Sequence, residues 1–552
     1  MIEQTNPSLQ RLSIFQDRFF WLAFFFGGFF LSLTLWFSLG MDQSTFCYGA
    51  WVWKTYHLPP YVGAFDQNFP GIFIIHRLVL TLFGDSILDF RIFDFLIQLC
   101  SLTMLFYLAR RLSGKSTAGF LASVFYGIYY YGLGNFDTAQ REGFVLCLLL
   151  LATIFSLRLE KMVWLRMSLA GLSLGFAFLI KPFYGLAWLV FGIWFFIEAF
   201  RKNKASAFLQ SCLFAICCLI PSALVLLYYW KLGYLRELYQ AVILYNFGSY
   251  ALSGASGSNI WVDKLLIVLS SLSWPNSLLA FSASITIMLG LKKDSSLQDK
   301  RLLVLLIFLI AVSLSSYWLQ GKFFPYHLLP LMGLMMILSG AGFSWLGDRF
   351  SAGLRSGRSL LFLYYISLLF FAFLVLSPDL VMFSWRHSFR SMDQAYLGWL
   401  NSDLDTHYSS NNYLVAKKLE PLLKPEDRIE YFGPYPLIPF LLKKKLPSRF
   451  SCVQHLLFLP RTREMLILQK QWSNDYTQAV IQSQPKFFLV SDQFPGSHHK
   501  FFSLASKSLK TALRSRFPEL QKFLDLNYEM IMKVGVIEVY QLKTGSAGEK
   551  KE

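Results

Sequence analysis

The chain has 552 residues, 55% hydrophobic, 18% aromatic and only 15% charged, with a mean hydropathy of +0.45. Soluble domains carry roughly 25% charged residues, so this composition excludes a soluble enzyme, and it equally excludes a disordered chain, a collagen-like repeat or a disulfide scaffold. The formal charge of +18, from 51 Lys+Arg against 33 Asp+Glu, fits nucleic acid, an anionic surface or membrane topology, and the positions of the charges must decide.

Runs apolar and long enough to cross a hydrocarbon layer are predicted near 19–40, 87–109, 117–134, 142–157, 166–180, 183–199, 207–229, 271–291, 302–319, 328–346 and 359–377. An α-helical polytopic membrane protein with about eleven transmembrane helices follows. The first run starts late, and Ser38-Leu39-Gly40-Met41-Asp42 after it offers no small-residue cleavage site, so it reads as an uncleaved helix. Alternate loops are strongly basic, with Arg110, Arg111 and Lys115, then Arg158, Lys161 and Arg166, then Arg201, Lys202 and Lys204, then Lys292, Lys293, Lys300 and Arg301, then Arg349, Arg355 and Arg358. The opposite loops hold fewer cations over more chain, among them Lys54, Arg77, Arg141, Lys181, Lys264 and Lys322. The positive-inside rule then predicts a multi-pass protein of the cytoplasmic (inner) membrane, with the N-terminus cytoplasmic and, after eleven crossings, the C-terminal part extracytoplasmic. Because topology accounts for these short, dispersed basic loops, no nucleic-acid partner is expected.

Three regions interrupt the pattern. The outer loop 41–86 is long and amphipathic over 44–56 and 71–83, which predicts two interfacial helices. The outer loop 230–270 contains a Gly/Ser-rich stretch at 248–258 that reads as mobile, either a lid or a plain connector. After Ser377 no further span is predicted: helix-period segments at 412–423, 437–444, 464–472 and 519–526 alternate with β-like runs at 428–432, 486–490 and 534–541. The expected organisation is a transmembrane catalytic domain over 1–377 and an extracytoplasmic α/β domain over 378–552, the latter mildly basic with 24 Lys+Arg against 17 Asp+Glu. Of seven cysteines, Cys100, Cys147, Cys212, Cys217 and Cys218 fall in spans, and Cys47 and Cys452 are read as unpaired core residues in preference to a disulfide. Metal-ligand spacings, Walker loops and GxGxxG motifs are absent from the sequence.

Charged groups persisting at the outer ends of spans are costly, on the order of 3 kcal/mol each, and mark a site. Four clusters do so on one side: Asp42-Gln43 after the first span, Phe65-Asp66-Gln67-Asn68-Phe69-Pro70-Gly71, Asn135 through Glu142 with Asp137 and Arg141, and Lys322-Phe323-Phe324-Pro325-Tyr326-His327. Carboxylates facing Lys, Arg, His and Tyr suit a transferase whose substrate has phosphate at one end and a hydroxyl nucleophile at the other. Singly, an Asp at a helix end is usually a cap or a solvated interfacial group, and Lys322 reads as a snorkelling side chain; the coincidence of four clusters on one face is what marks a site. Arg91 and Asp94, at i and i+3 within a span, are expected to form a structural ion pair.

The order of these features resembles the GT-C superfamily of polyprenyl-phosphate-sugar-dependent glycosyltransferases. Those features are one span, Asp42-Gln43, Leu58-Pro59-Pro60-Tyr61, Phe65 through Gly71, Arg91-Ile92-Phe93-Asp94 and Asp137. The nearest branch is that of protein mannosyltransferase, aminoarabinose transferase and lipopolysaccharide-core (RgtA/B/C/D-like) enzymes, which Gly175 through Pro182 and Lys322 through Pro330 also resemble. The likeness covers about residues 19–345. It implies a GT-C-like fold and an inverting glycosyltransferase that takes a sugar from a polyprenyl phosphate to a glycan, lipid or protein acceptor at the outer membrane face, among membrane lipids. It further implies Asp42 as the acceptor-orienting base, Asp137 as a second site carboxylate and Asp66 in the loop that shapes the site. Lys322, His327 and Tyr326, with Arg141, would face the lipid phosphate. Relatives often carry a basic residue where Phe69 stands, which separates the 58–71 loop from the phosphate role. No cofactor is required, and a divalent ion held by Asp42 and Asp137 is the alternative to cationic side chains. The competing class is a secondary transporter or flippase of a glycolipid, against which stand the lack of an internal repeat and of balanced halves.

Overall fold

The computed structural model describes residues 13–201, 203–250, 260–273, 276–292, 296–352, 364–365, 368, 391–398, 409–492 and 508–543. In chain order the main helices are α1 (Arg18–Leu33), α2 (Met41–Tyr56), α3 (Gly71–Leu82), α4 (Ile87–Ser113), α5 (Ser116–Gly132), α6 (Arg141–Arg158), α7 (Val163–Ile180), α8 (Leu186–Phe200) and α9 (Lys204–Lys231). There follow a π-helical segment Gln240–Tyr250, then α10 (Ile260–Ser271), α11 (Asn276–Leu291), α12 (Lys300–Gln320) and α13 (Leu329–Ala352). The C-terminal part contributes α14 (Ser409–Leu419), β1 (Ile429–Phe432), α15 (Arg463–Ser483), β2 (Phe487–Ser491), α16 (Leu509–Arg516), α17 (Pro518–Asn527), β3 (Tyr528–Val534) and β4 (Ile537–Leu542).

Among the described residues seven helices are long and apolar enough to cross a membrane, or up to eight if α10 and α11, bent by 85° at their junction, make one broken span. Eleven were expected, and the difference has identifiable causes. The helix α5 has 17 residues, and α6 takes Arg141, Glu142 and Arg158 into its ends, so both are helices but neither qualifies by length and composition. The span expected at 271–291 meets the bend, and the one at 359–377 lies outside the described residues apart from three positions. Most of the stretch at 248–258 also lies outside them.

The chain forms two compact units. The first comprises Met1–Leu35, Arg91–Leu224 and Asn259–Ser388, and the second comprises Trp36–Phe90, Val225–Ser258 and Phe389–Glu552. The membrane unit is a helical bundle held by close backbone approach. A Cβ at Gly127 on α5 would meet the Gly27 carbonyl oxygen of α1 at 2.4 Å, and one at Gly342 on α13 would meet the Ser282 oxygen of α11 at 2.2 Å. Where helices touch this closely, hydroxyls bridge them: Ser282 donates to the Ser339 carbonyl (2.8 Å) and Thr286 to that of Leu338 (2.8 Å). Packing of small residues and interhelical hydrogen bonds take the place of the hydrophobic effect inside a membrane.

In the second unit the four strands run β1-β2-β4-β3, with β1 and β2 parallel and the other pairs antiparallel. The crossover helix α15 joins the parallel pair, whose strands are buried throughout, as an apolar run covered on both faces requires. The run expected at 534–541 spans a hairpin instead. Gly535 takes a left-handed φ of +53° between β3 and β4, and β3 escaped the sequence reading because its Glu529, Met530 and Ile531 are exposed at the sheet edge. The helices expected at 44–56 and 71–83 appear as α2 and α3. All residues of α2 from Gln43 to Trp53 are buried within the unit, whereas α3 leaves Leu78 and Leu82 exposed.

Candidate functional site

One end of the membrane unit gathers the sequence-predicted cations. After α5, the chain makes a short turn at Gly134–Asp137, passes Ala139 in a left-handed conformation (φ +55°) and enters α6 at Arg141 and Glu142. A carboxylate in a first helical turn is favoured by the helix dipole. Helix α7 ends at Ile180, and Lys181 follows it at the same end because α6 and α7, each 18 residues long, run antiparallel. The Lys181 ammonium pairs with the Glu142 carboxylate, and His327 Nε2 lies 3.6 Å from the same Glu142 oxygen. All three side chains are at most 4% exposed. His327 occupies the one-turn helix Pro325–Leu328 that opens α13, and Tyr326 beside it is buried, its ring edge-on to His327 at 4.5 Å and 5.9 Å from Lys181 Nζ.

Arg141, Lys181 and Lys322 all lie within electrostatic reach of His327. Lys322 projects from a sharp exit to α12, between Gly321 (φ +61°) and Phe323 (φ +56°), both left-handed. Non-glycine residues hold such a conformation only where their surroundings impose it. Burial, joined by the nearby charge of Lys264, pushes the Lys322 amine down to about 7. A Cβ at Gly321 would sit 3.1 Å from Lys264 Nζ, so the glycine also makes room for that second amine.

The 134–138 turn borders this cluster, with the Phe136 ring 6.4 Å from that of Tyr326. Arg91 holds the turn, donating to Thr138 Oγ1 (2.9 Å) and to the Asn135 carbonyl (3.1 Å). Asp94 feels the Arg91 charge, but its carboxylate accepts hydrogen bonds from Gln98 Nε2 (2.8 Å) and Tyr130 OH (2.7 Å). The Arg91 and Asp94 expected as partners therefore belong to one buried polar network through different hydrogen bonds. Asp137 is within electrostatic reach of Tyr129.

The other predicted carboxylates belong to the second unit. Asp42 stands in the first turn of α2, and the buried Asp66 accepts from the Asn68 backbone N–H at 2.6 Å. Both act electrostatically on buried Cys452, whose thiol is raised mainly by burial and whose Sγ lies 3.4 Å from Thr45 Oγ1. All seven cysteines are free. Among the described residues no group of three or more His, Cys, Asp or Glu is placed to hold a metal ion.

The structure thus brings Arg141, Lys322, Tyr326 and His327 together, with Asp137 on the bordering turn that Arg91 holds from α4, and places Asp42 and Asp66 within electrostatic reach of Cys452. It adds Lys181, expected only as an outer-loop cation, and pairs it with Glu142, the last residue of the third cluster. Chemically, the membrane-unit cluster carries more cations than carboxylates in a buried setting, which suits a bound anion whose charge grows during reaction.

Residues 67–229 match the family model of dolichyl-phosphate-mannose-protein mannosyltransferases. Two solved structures of ArnT from Cupriavidus metallidurans resemble the chain. The one bound to undecaprenyl phosphate is 13% identical with a TM-score of 0.50, covering 96% of this chain and 98% of that one. The apo structure is 13% identical with a TM-score of 0.51, covering 92% and 96%. At this identity the likeness is one of fold. No curated protein matches the sequence.

Proposed function

We propose that the chain, whose residues 67–229 match the mannosyltransferase family model and whose fold resembles that of ArnT, is a GT-C superfamily inverting glycosyltransferase moving a sugar from a polyprenyl-phosphate donor to a hydroxyl of a glycan, lipid or protein acceptor. The observation that carries this reading is the convergence of Arg141, Lys181 and Lys322 on His327 around buried Glu142. In the reaction the acceptor oxygen attacks the anomeric carbon, the bond from that carbon to the phosphate oxygen breaks, and the lipid phosphate departs with one more negative charge than it had in the donor. Arg141, Lys322 and His327 meet that growing charge, an interaction stronger in the transition state than in the ground state and therefore catalytic. Lys181 and Glu142 keep the cluster in place, and Tyr326 forms its aromatic wall.

Asp42 takes or orients the acceptor proton, with Asp137 as the second carboxylate and Asp66 shaping the loop. Cationic side chains supply the charge compensation that a divalent ion would otherwise bring, so transfer is expected to survive a chelator. The N-terminus faces the cytoplasm and the C-terminal domain the outside of the inner membrane, where the acceptor is met.

Asp42→Asn tests the assignment. It removes the base while keeping size and polarity, so sugar transfer falls to background while the chain still inserts and folds. Full activity in that variant contradicts the role. Mass spectrometry of cell-envelope glycans with and without the protein identifies the sugar and acceptor together, as one missing residue. Uptake of a labelled sugar-lipid into vesicles with no new glycosidic bond would instead make the protein a transporter.

A further inference from the structure

The loop 58–71, which carries Asp66, is shaped by residues far away in sequence. Its corner is Tyr61, a bulky residue at φ +73°. The Tyr61 N–H donates to the Ala64 carbonyl (2.7 Å), and its hydroxyl donates to the Asn68 carbonyl (2.7 Å), so the loop closes on itself. Those bonds describe the corner but do not explain why a tyrosine stays in it, since a left-handed non-glycine residue persists only where the surroundings over-determine it.

The C-terminal segment supplies the surroundings. Arg449 binds the loop at two points, donating from its guanidinium to the Tyr61 carbonyl (2.9 Å) and accepting the Phe65 N–H on its own carbonyl (2.7 Å). The same guanidinium lies over three rings, Phe65, Phe450 and Trp472, at 5.6, 5.0 and 5.4 Å from their centroids. Trp472 sits on α15, the crossover of the sheet, so the arginine is braced by the domain's own core. Phe65 is locked in turn between Phe450 (5.1 Å), Trp472 (4.9 Å) and His455 (5.3 Å). Just past Asp66, Gln67 is held on both sides. His455, kept neutral by burial, which pushes it down to about 3, shares a 2.7 Å hydrogen bond with Gln67 Oε1, and Asn246 of the π-helical segment donates to the Gln67 carbonyl (2.8 Å).

We infer that the C-terminal domain is the template on which the Asp66 loop is folded, with Arg449 as a positioning residue that fixes the Tyr61 corner and through it the Asp66 carboxylate. An appendage that only captured acceptor would have no need to grip this loop from inside. Arginine is suited to the task because its planar fork donates along one edge while its faces stack on rings, which a lysine does not reproduce. That the loop serves sugar transfer rests on the function proposed above, whereas that Arg449 holds the loop does not.

The experiment uses the full chain in nanodiscs, comparing the natural protein with Arg449→Met and Arg449→Lys. Hydrogen–deuterium exchange is read over 58–70 and over β1 and β2, and transfer kinetics are read in parallel. In Arg449→Met, exchange over 58–70 rises about tenfold while the strands keep their protection, and kcat falls about tenfold with donor KM within twofold. Arg449→Lys lies between, and it carries the same readouts if the methionine variant fails to fold. Unchanged exchange over 58–70 overturns the inference, and so does equal loss of protection in loop and strands, which marks a residue of general stability. Loosening of the loop in a protein that transfers no sugar even in its natural form leaves the clamp standing and removes the proposed function instead.

Discussion

The two ends of the membrane unit use the same residue types to opposite effect. At one end five basic residues are matched with acidic partners. Arg110 meets Asp17 (3.2 Å), Arg111 meets Asp299 (2.7 Å), Arg166 meets Glu198 (2.8 Å), Lys115 meets Asp348 and Arg301 meets Glu160. Two of these pairs are open to solvent, and the pairs tie helix ends together, as where Asp17 also caps α1 through the Phe19 N–H. At the other end Arg141, Lys181, Lys322 and His327 gather with Glu142 and Asp137 in surroundings that leave Glu142, Lys181, His327 and Lys322 at most 5% exposed. Basic residues that mark topology need only sit in the right loops and find inexpensive partners there. A buried surplus of cations serves no such purpose, and desolvation makes it costly unless something anionic joins it.

The largest effect expected from breaking this contrast is at Glu142. Glu142→Gln leaves Lys181 buried beside other cations, and losing one partner of a buried pair costs about 3–5 kcal/mol. Thermal unfolding of the purified variant should report that loss, and a melting point equal to that of the natural protein would mean the pair is solvated. Next is Lys322→Ala, expected to weaken donor binding about tenfold, as loss of one charge-assisted contact does. Its pH dependence has a definite sign. With the amine lowered to about 7 in the folded chain, it is charged below that value and loses its proton as pH rises through it, so donor affinity falls on going from pH 6 to pH 8. The unfolded chain keeps this proton up to the ordinary lysine range, so stability rises with pH between about 7 and 10.4 for the same reason. The alanine variant should lose both trends, which titration calorimetry and unfolding at several pH values can read. The smallest effect belongs to the opposite end: Arg301→Gln, in an exposed pair with Glu160, should cost 1 kcal/mol or less, estimated roughly from surface ion pairs, and leave transfer unchanged.

The sequence makes the membrane architecture legible because a span is a local pattern, a run of apolar residues with charges at its ends. That Arg141, Lys322 and His327 gather at one end of the membrane unit is legible for the same reason. What stays hidden depends on residues brought together across the fold. Glu142 and Lys181 are separated by two helices, but their pairing could have been anticipated. Antiparallel helices of equal length on either side of the turn at 159–162 place the start of one beside the end of the other. No comparable signal exists for Arg449, whose partners Tyr61 and Phe65 are nearly four hundred residues away. Nor could spacing show that Asp42 and Asp66 share a compact unit with the C-terminal strands while Asp137 does not. The strand β3 was missed for a different reason, since its exposed Met530 and Ile531 break the alternation that marks a half-buried strand.

The central claim, that the cation-rich end of the membrane unit receives a lipid phosphate, is tested most directly by native mass spectrometry of the purified chain with undecaprenyl phosphate as probe. Natural protein, Lys322→Ala, Arg141→Ala and Arg301→Gln would be compared under one set of conditions. The account predicts one tightly retained lipid phosphate in the natural protein and in Arg301→Gln, lost or weakened at least tenfold in Lys322→Ala and Arg141→Ala. Equal retention in all four proteins would contradict it.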